Sequence, residues 1–158
     1  METIQIPKGR YFLGDPCYAV PNDQWIPWLD RCDFMNEESS PIFNNKIFGH
    51  TVAAFNTVLG DGTYYDQMGR DYSVDAGLIG ATSVDLVGDD PAKIARLNEL
   101  GRIINLTEDG SLYRMLEGEI VIGIKAGRLK FEIQIQEEYD DDDDYCNDPY
   151  YDDGRYYY

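Results

Sequence analysis

The sequence has a single histidine, His50, and only three cysteines, Cys17, Cys32 and Cys146, among 158 residues. One imidazole leaves little room for histidine-based acid–base or metal chemistry. The cysteines are odd in number, widely spaced and without a Cys-x-x-Cys pair. A structural zinc site, which needs four clustered Cys or His ligands, is therefore not expected, and reduced thiols in a cytoplasm are the simpler reading. Bases are scarce as well: 13 Lys and Arg stand against 30 Asp and Glu, a formal net charge of −17. Phosphates are repelled by so acidic a surface, which argues against direct contact with bare nucleic acid or an anionic membrane. Long apolar runs are missing too. The longest, Ile120–Ile124 and Thr51–Phe55, fall far short of the roughly 18 residues a membrane helix needs. Met1–Gln5 lacks the basic-then-apolar order of a secretory signal, so a cytoplasmic location is expected.

What is present is enough apolar content, 43%, for a packed core in one domain. The charge is uneven. From Glu137 to Tyr158 there are ten acids, one base (Arg155) and seven of the thirteen tyrosines, a net −9 that leaves −8 on residues 1–136. No Leu, Ile, Val or Phe follows Ile135. A segment of that kind cannot build a core, and its like charges repel. The expected organisation is a β-rich domain over 1–136 and an acidic Tyr-rich tail over 137–158.

Within the body, alternation and turn residues predict an α+β fold, mostly antiparallel sheet with two short helices. Thr3–Ile6 and Tyr11–Leu13 read as short strands, the second ended by Gly14-Asp15-Pro16. Asn22 or Asp23 is expected to cap a helix running to Cys32, with Pro27 in its first turn. Glu37–Asn45 reads as a polar loop. His50–Leu59 and Thr63–Tyr65 read as a hairpin about Gly60-Asp61-Gly62. Tyr72–Asp75 and Leu78–Val87 are further strands, and Asp90-Pro91 starts a second helix that Gly101 ends. Arg102–Leu106, Leu112–Leu116, Glu119–Lys125 and Arg128–Gln136 then read as a meander. The last strand alternates strictly, with Leu129, Phe131, Ile133 and Ile135 on one face.

Gly14-Asp15-Pro16-Cys17-Tyr18, Gly60-Asp61-Gly62-Thr63-Tyr64-Tyr65-Asp66 and Val74-Asp75-Ala76-Gly77-Leu78-Ile79-Gly80 together resemble a family of small proteins encoded by bacteria and their phages. The resemblance covers about the first half of the body. It implies a phage or bacterial cytoplasmic origin. No catalytic residue carries over from it, and the tail lies outside it.

Four constellations have chemical potential. Cys17 with His50, oriented by Asp15 or Asp61, has the residue types of a thiol nucleophile and its base, or is an inert cysteine beside a strand-end histidine. Asp15, Asp61, Asp66, Asp71 and Asp75 have the oxygens for a divalent cation, or serve their turns; the spacing is not that of an EF-hand. Gly60-Asp61-Gly62 and Gly77–Gly80 lack the Lys-Ser/Thr of a phosphate loop. The tail sets Tyr139, Asp140, Asp141, Asp142, Asp143, Asp144, Tyr145, Tyr150, Tyr151, Asp152 and Asp153 as carboxylates beside flat rings, much as a nucleic-acid strand sets phosphates beside bases. These eleven residues are the expected partner-binding site.

The expected function is non-enzymatic, with no catalytic residue, metal or cofactor. A phage-type inhibitor would use its tail as a nucleic-acid mimic against the basic surface of a nucleic-acid-binding host protein, such as a defence nuclease or helicase. The alternatives are a structural or assembly binding module with a solubilising tail, and a Cys17- or carboxylate-dependent hydrolase.

Overall fold

The computed structural model describes residues 1–32 and 43–136. Their alternating apolar residues form eleven strands: β1 (Glu2–Ile6), β2 (Gly9–Gly14), β3 (Phe43–Asn44), β4 (Val52–Asn56), β5 (Gly62–Asp66), β6 (Asp71–Val74), β7 (Leu78–Ser83), β8 (Arg102–Leu106), β9 (Gly110–Met115), β10 (Ile120–Ala126) and β11 (Leu129–Ile135). Two helices, α1 (Asn22–Arg31) and α2 (Pro91–Leu100), complete the α+β fold. All strand pairs are antiparallel, in a six-stranded sheet ordered β1-β9-β10-β11-β5-β6 and a five-stranded sheet ordered β3-β4-β7-β2-β8.

The period of two in each strand sorts side chains into layers. Ile4 and Ile6, Leu112, Ile122 and Ile124, and Ile133 and Ile135 project from the six-stranded sheet onto Tyr11, Leu13, Ala53, Ile79, Ala81 and Ile104 of the other, forming the main core. The intervening residues of the five-stranded sheet face the helices. Val52, Ala54 and Leu78 meet Trp28 of α1, and Phe12 meets Leu97 of α2. Strand β7, covered on both sides, is buried along its whole length. At its centre Gly80 faces the Ala53 carbonyl and Ala54 so closely that a Cβ would overlap them. The missing side chain is what lets this strand lie between its neighbours.

Several expectations change. Pro27 lies in the interior of α1, not its first turn, and the residue before the helix, Pro21, gives no side-chain cap in place of Asn22 or Asp23. Phe43–Asn44 is a strand at the end of the expected 37–45 loop; residues 37–42 fall outside the described residues. Leu78–Val87 is strand only to Ser83, after which Val84–Leu86 turn as a short 3-10 helix. The hairpin expected at residues 60–62 is instead a crossing between sheets: β4 pairs with β3 and β7, β5 with β6 and β11. Two side chains hold that crossing. Buried Thr57 donates its hydroxyl to the Gly60 carbonyl and accepts the Gly60 N–H, and Asn56 Oδ1 accepts the Val58 N–H. Val58 takes φ +74°, a left-handed conformation that a β-branched residue adopts only under constraint. Likewise β8 belongs to the five-stranded sheet, so the terminal meander is β9-β10-β11.

The position of Pro27 has a measurable consequence. Its missing N–H leaves the Asp23 carbonyl without its helical donor, and its ring crowds that turn. The residue is exposed, so no packing is lost on truncation. Pro27→Ala is expected to stabilise the fold by about 1–3 kcal/mol, read as a raised thermal midpoint. A lowered midpoint would mean that the proline bend is needed to seat Trp28.

Candidate functional site

Two buried acids, Asp15 and Asp66, each accept three hydrogen bonds; for Asp15 all three come from backbone N–H groups. Its carboxylate is fully buried where β2 gives way to the 3-10 turn Pro16–Tyr18. Oδ1 accepts the Cys17 N–H at 3.0 Å, and Oδ2 accepts the Asp75 and Ala76 N–H groups at 2.9 and 2.7 Å. One side chain thus joins the Gly14–Tyr18 stretch to the Val74–Gly80 stretch. Asp66 does the same within one hairpin, accepting the Met68 and Arg70 N–H groups and the Tyr72 hydroxyl at 2.8 Å. Both carboxylates are occupied as turn acceptors, and no grouping of three metal-type side chains occurs among the described residues.

Cys17 lies two positions after Asp15, across Pro16. Burial, and then the Asp15 charge beside it, push its thiol well above the ordinary range, the reverse of what a nucleophile requires. His50 lies in the turn that bridges Ile47 to His50, and no hydrogen bond joins it to Cys17. The structure therefore does not assemble the Cys17–His50 pair.

The turn after Asp15 forms one wall of a groove of about 420 Å³, with Val20, Pro21 and Asn22 continuing it. Leu86, Val87 and Leu97 supply apolar lining, and Lys93 and Arg96 of α2 stand at its rim. Burial, and secondarily the neighbouring Cys17, raise the Tyr18 phenol to about 12, so it presents a neutral hydroxyl. The groove thus combines apolar walls with one neutral phenol and two cations. Its two halves come from residues 18–22 and 86–97, and periodicity gave no sign that they meet.

Both helices pack on the five-stranded sheet, while on the outward face of the six-stranded one Tyr113 and Val121 are buried among that sheet's own side chains. Tyr113 lies flat across that face over Gly123, where a Cβ would come within 2.7 Å of its ring. Its hydroxyl donates to Glu132 Oε2. Lys125 and Lys130 stand beside it, directly paired across β10 and β11.

The eleven residues expected to bind a partner, Tyr139–Tyr145 and Tyr150–Asp153, lie outside the described residues. No helix among the described residues is long and apolar enough to cross a membrane. No family model, curated protein or solved structure matches the chain.

Proposed function

We propose that this protein is a non-enzymatic binding protein of phage type, an inhibitor that engages the basic surface of a nucleic-acid-binding host protein through its acidic, tyrosine-rich C-terminal segment. The observation that carries this reading is the concentration of charge −9 and seven tyrosines in residues 137–158. The use of Asp15, Asp66 and Cys17 within the fold supports a role in binding over one in catalysis. Acids repeat the phosphate charges, and tyrosine rings occupy the stacking platforms that bases would use.

Changing Asp140–Asp144 to Asn is expected to weaken capture of the partner from a bacterial lysate by roughly tenfold or more and to flatten its salt dependence. Changing Tyr145, Tyr150 and Tyr151 to Ala should weaken capture while leaving the salt slope in place. Added DNA should release the partner from the parent protein. Retained capture without residues 137–158 would rule the mimic out and leave the body as the binding surface. One observation favours that second reading, of an assembly module: Phe48 and Val58 are exposed, at 73% and 54%, and both hold left-handed backbone. Apolar side chains in constrained turns suit docking by shape.

A further inference from the structure

The β10–β11 hairpin carries a charge at odds with the rest of the chain. Lys125 and Lys130 are cross-strand partners on the outward face, both exposed, and Arg128 lies in the turn between them. Like charges placed directly opposite destabilise a sheet. Their neutralisation within the hairpin is partial. Lys130 Nζ is 3.6 Å from Glu132 Oε2, an oxygen that already accepts the Tyr113 hydroxyl. Lys125 Nζ lies 5.7 Å from the centre of the Tyr113 ring. At the same end Glu108 lies against Gly127, and Asp109 accepts the Lys8 N–H. With Lys8 counted, four cations face three carboxylates, in a chain whose net charge is −17.

We infer that Lys125, Arg128 and Lys130 form an interaction surface whose occupant is the chain's own Asp140–Asp144 run. Charge complementarity is the first argument. Position is the second. Strand β11 ends at Ile135, paired with Ile120, and its outward residues run Lys130, Glu132, Gln134. Lys130 is six positions back from Gln136, about 20 Å along the strand at roughly 3.3 Å per residue. Asp140–Asp144 begin four and end eight residues beyond Gln136, a reach of about 13–28 Å when extended. That range spans the distance, and so short a tether gives an effective concentration on the order of millimolar. The groove cations Lys93 and Arg96 fit the same occupant less well. Asp85, Asp89 and Asp90 flank the groove in sequence, and Glu99 is 3.8 Å from Arg96.

The contact lies within one chain and needs no host protein, so it goes beyond the inhibitor reading and is tested apart from it. Its consequence is competition: a basic partner must displace the hairpin to reach the acids.

Cys146 lies two residues beyond Asp144 and provides the probe. Burial raises the thiols of Cys17 and Cys32, which directs a nitroxide reagent near neutral pH to Cys146, as mass spectrometry of the labelled peptide would verify. In the labelled full-length chain at about 0.01 M salt, the amide signals of Lys125–Lys130 should lose intensity at least roughly twofold more than those of α2. The loss should vanish near 1 M salt, where screening acts within ~3 Å, and in the chain with Asp140–Asp144 changed to Asn. Loss that survives those changes, that spreads evenly over the surface, or that centres on Lys93 and Arg96 would overturn the assignment. So would loss seen only between labelled and unlabelled copies on mixing, which would make the occupant a second chain.

Discussion

Asp15→Ala is expected to destabilise the fold by at least about 3 kcal/mol, since three backbone N–H groups lose a buried charged acceptor and each such loss costs about 1–3 kcal/mol. Asp15 itself is fully buried, so its removal also leaves a void at the junction of the two stretches. A fold of ordinary stability, about 5–15 kcal/mol, would be left marginal by that loss. The damage should be local first: Cys17 and Tyr18 on one side and Asp75 and Ala76 on the other lose the carboxylate that anchors them to each other. Asp15→Asn keeps one acceptor oxygen but turns an amide toward donors, and should fall between the two. Urea unfolding of the three proteins measures the series. An Ala variant within about 0.5 kcal/mol of the parent would mean that the two loops hold their shape without the carboxylate.

High pH should unfold the protein cooperatively. Burial raises the phenols of Tyr11, Tyr64, Tyr72 and Tyr113 above their ordinary value of 10.0; a hydrogen bond to Asp66 adds to the effect at Tyr72, and one to Glu132 at Tyr113. A raised value means that the folded chain keeps a proton the unfolded chain has lost. The stabilisation is therefore complete below the ordinary phenol value and is lost as pH rises toward the raised one. Each pH unit in that window removes about 1.4 kcal/mol per buried phenol. Tyr72 and Tyr113, exposed by 0% and 3%, together remove about 3 kcal/mol per unit. Loss of native circular dichroism should accompany the rise of tyrosinate absorbance from these residues, roughly between pH 10 and 12. Tyr113→Phe should make the alkaline limb shallower by one phenol's share, even if it lowers stability at neutral pH. Full tyrosinate absorbance from a chain still native by circular dichroism would refute the argument.

The strands themselves were legible. The alternation of Leu129, Phe131, Ile133 and Ile135, the Asp90-Pro91 start of α2 and its end at Gly101 are local signals, and local signals survive folding. The assignment of strands to sheets was not legible. Gly60-Asp61-Gly62 has the composition of a hairpin turn, but a period of two tells which residues share a face and not which sheet receives it. Thr57, Asn56 and Val58 decide the crossing through hydrogen bonds that sequence spacing does not display. Asp15 was visible as a turn residue, a candidate orienter of Cys17–His50 and a candidate cation ligand, but not as the link between two stretches, because its other partners, Asp75 and Ala76, lie sixty positions away. The same distance hid the groove, whose walls meet only after the sheets close. The tail was legible as composition alone, in charge and aromatic content.

The order of the strands also sets an order in time. All five strands of the helix-backed sheet lie between Gly9 and Leu106, so a growing chain contains that sheet, with both helices, before β9 has been translated. The other sheet is then in fragments: β1 and the β5–β6 hairpin exist, and the meander that joins them does not. Its first strand has to wait for residues 110–115, and the Glu2–Arg114 contact closes a loop of 112 positions. Contacts so distant in sequence form slowly, because chain entropy is lost before they are made. The helix-backed sheet is thus available as the surface on which the outward-facing sheet, with its lysine hairpin, is laid down last.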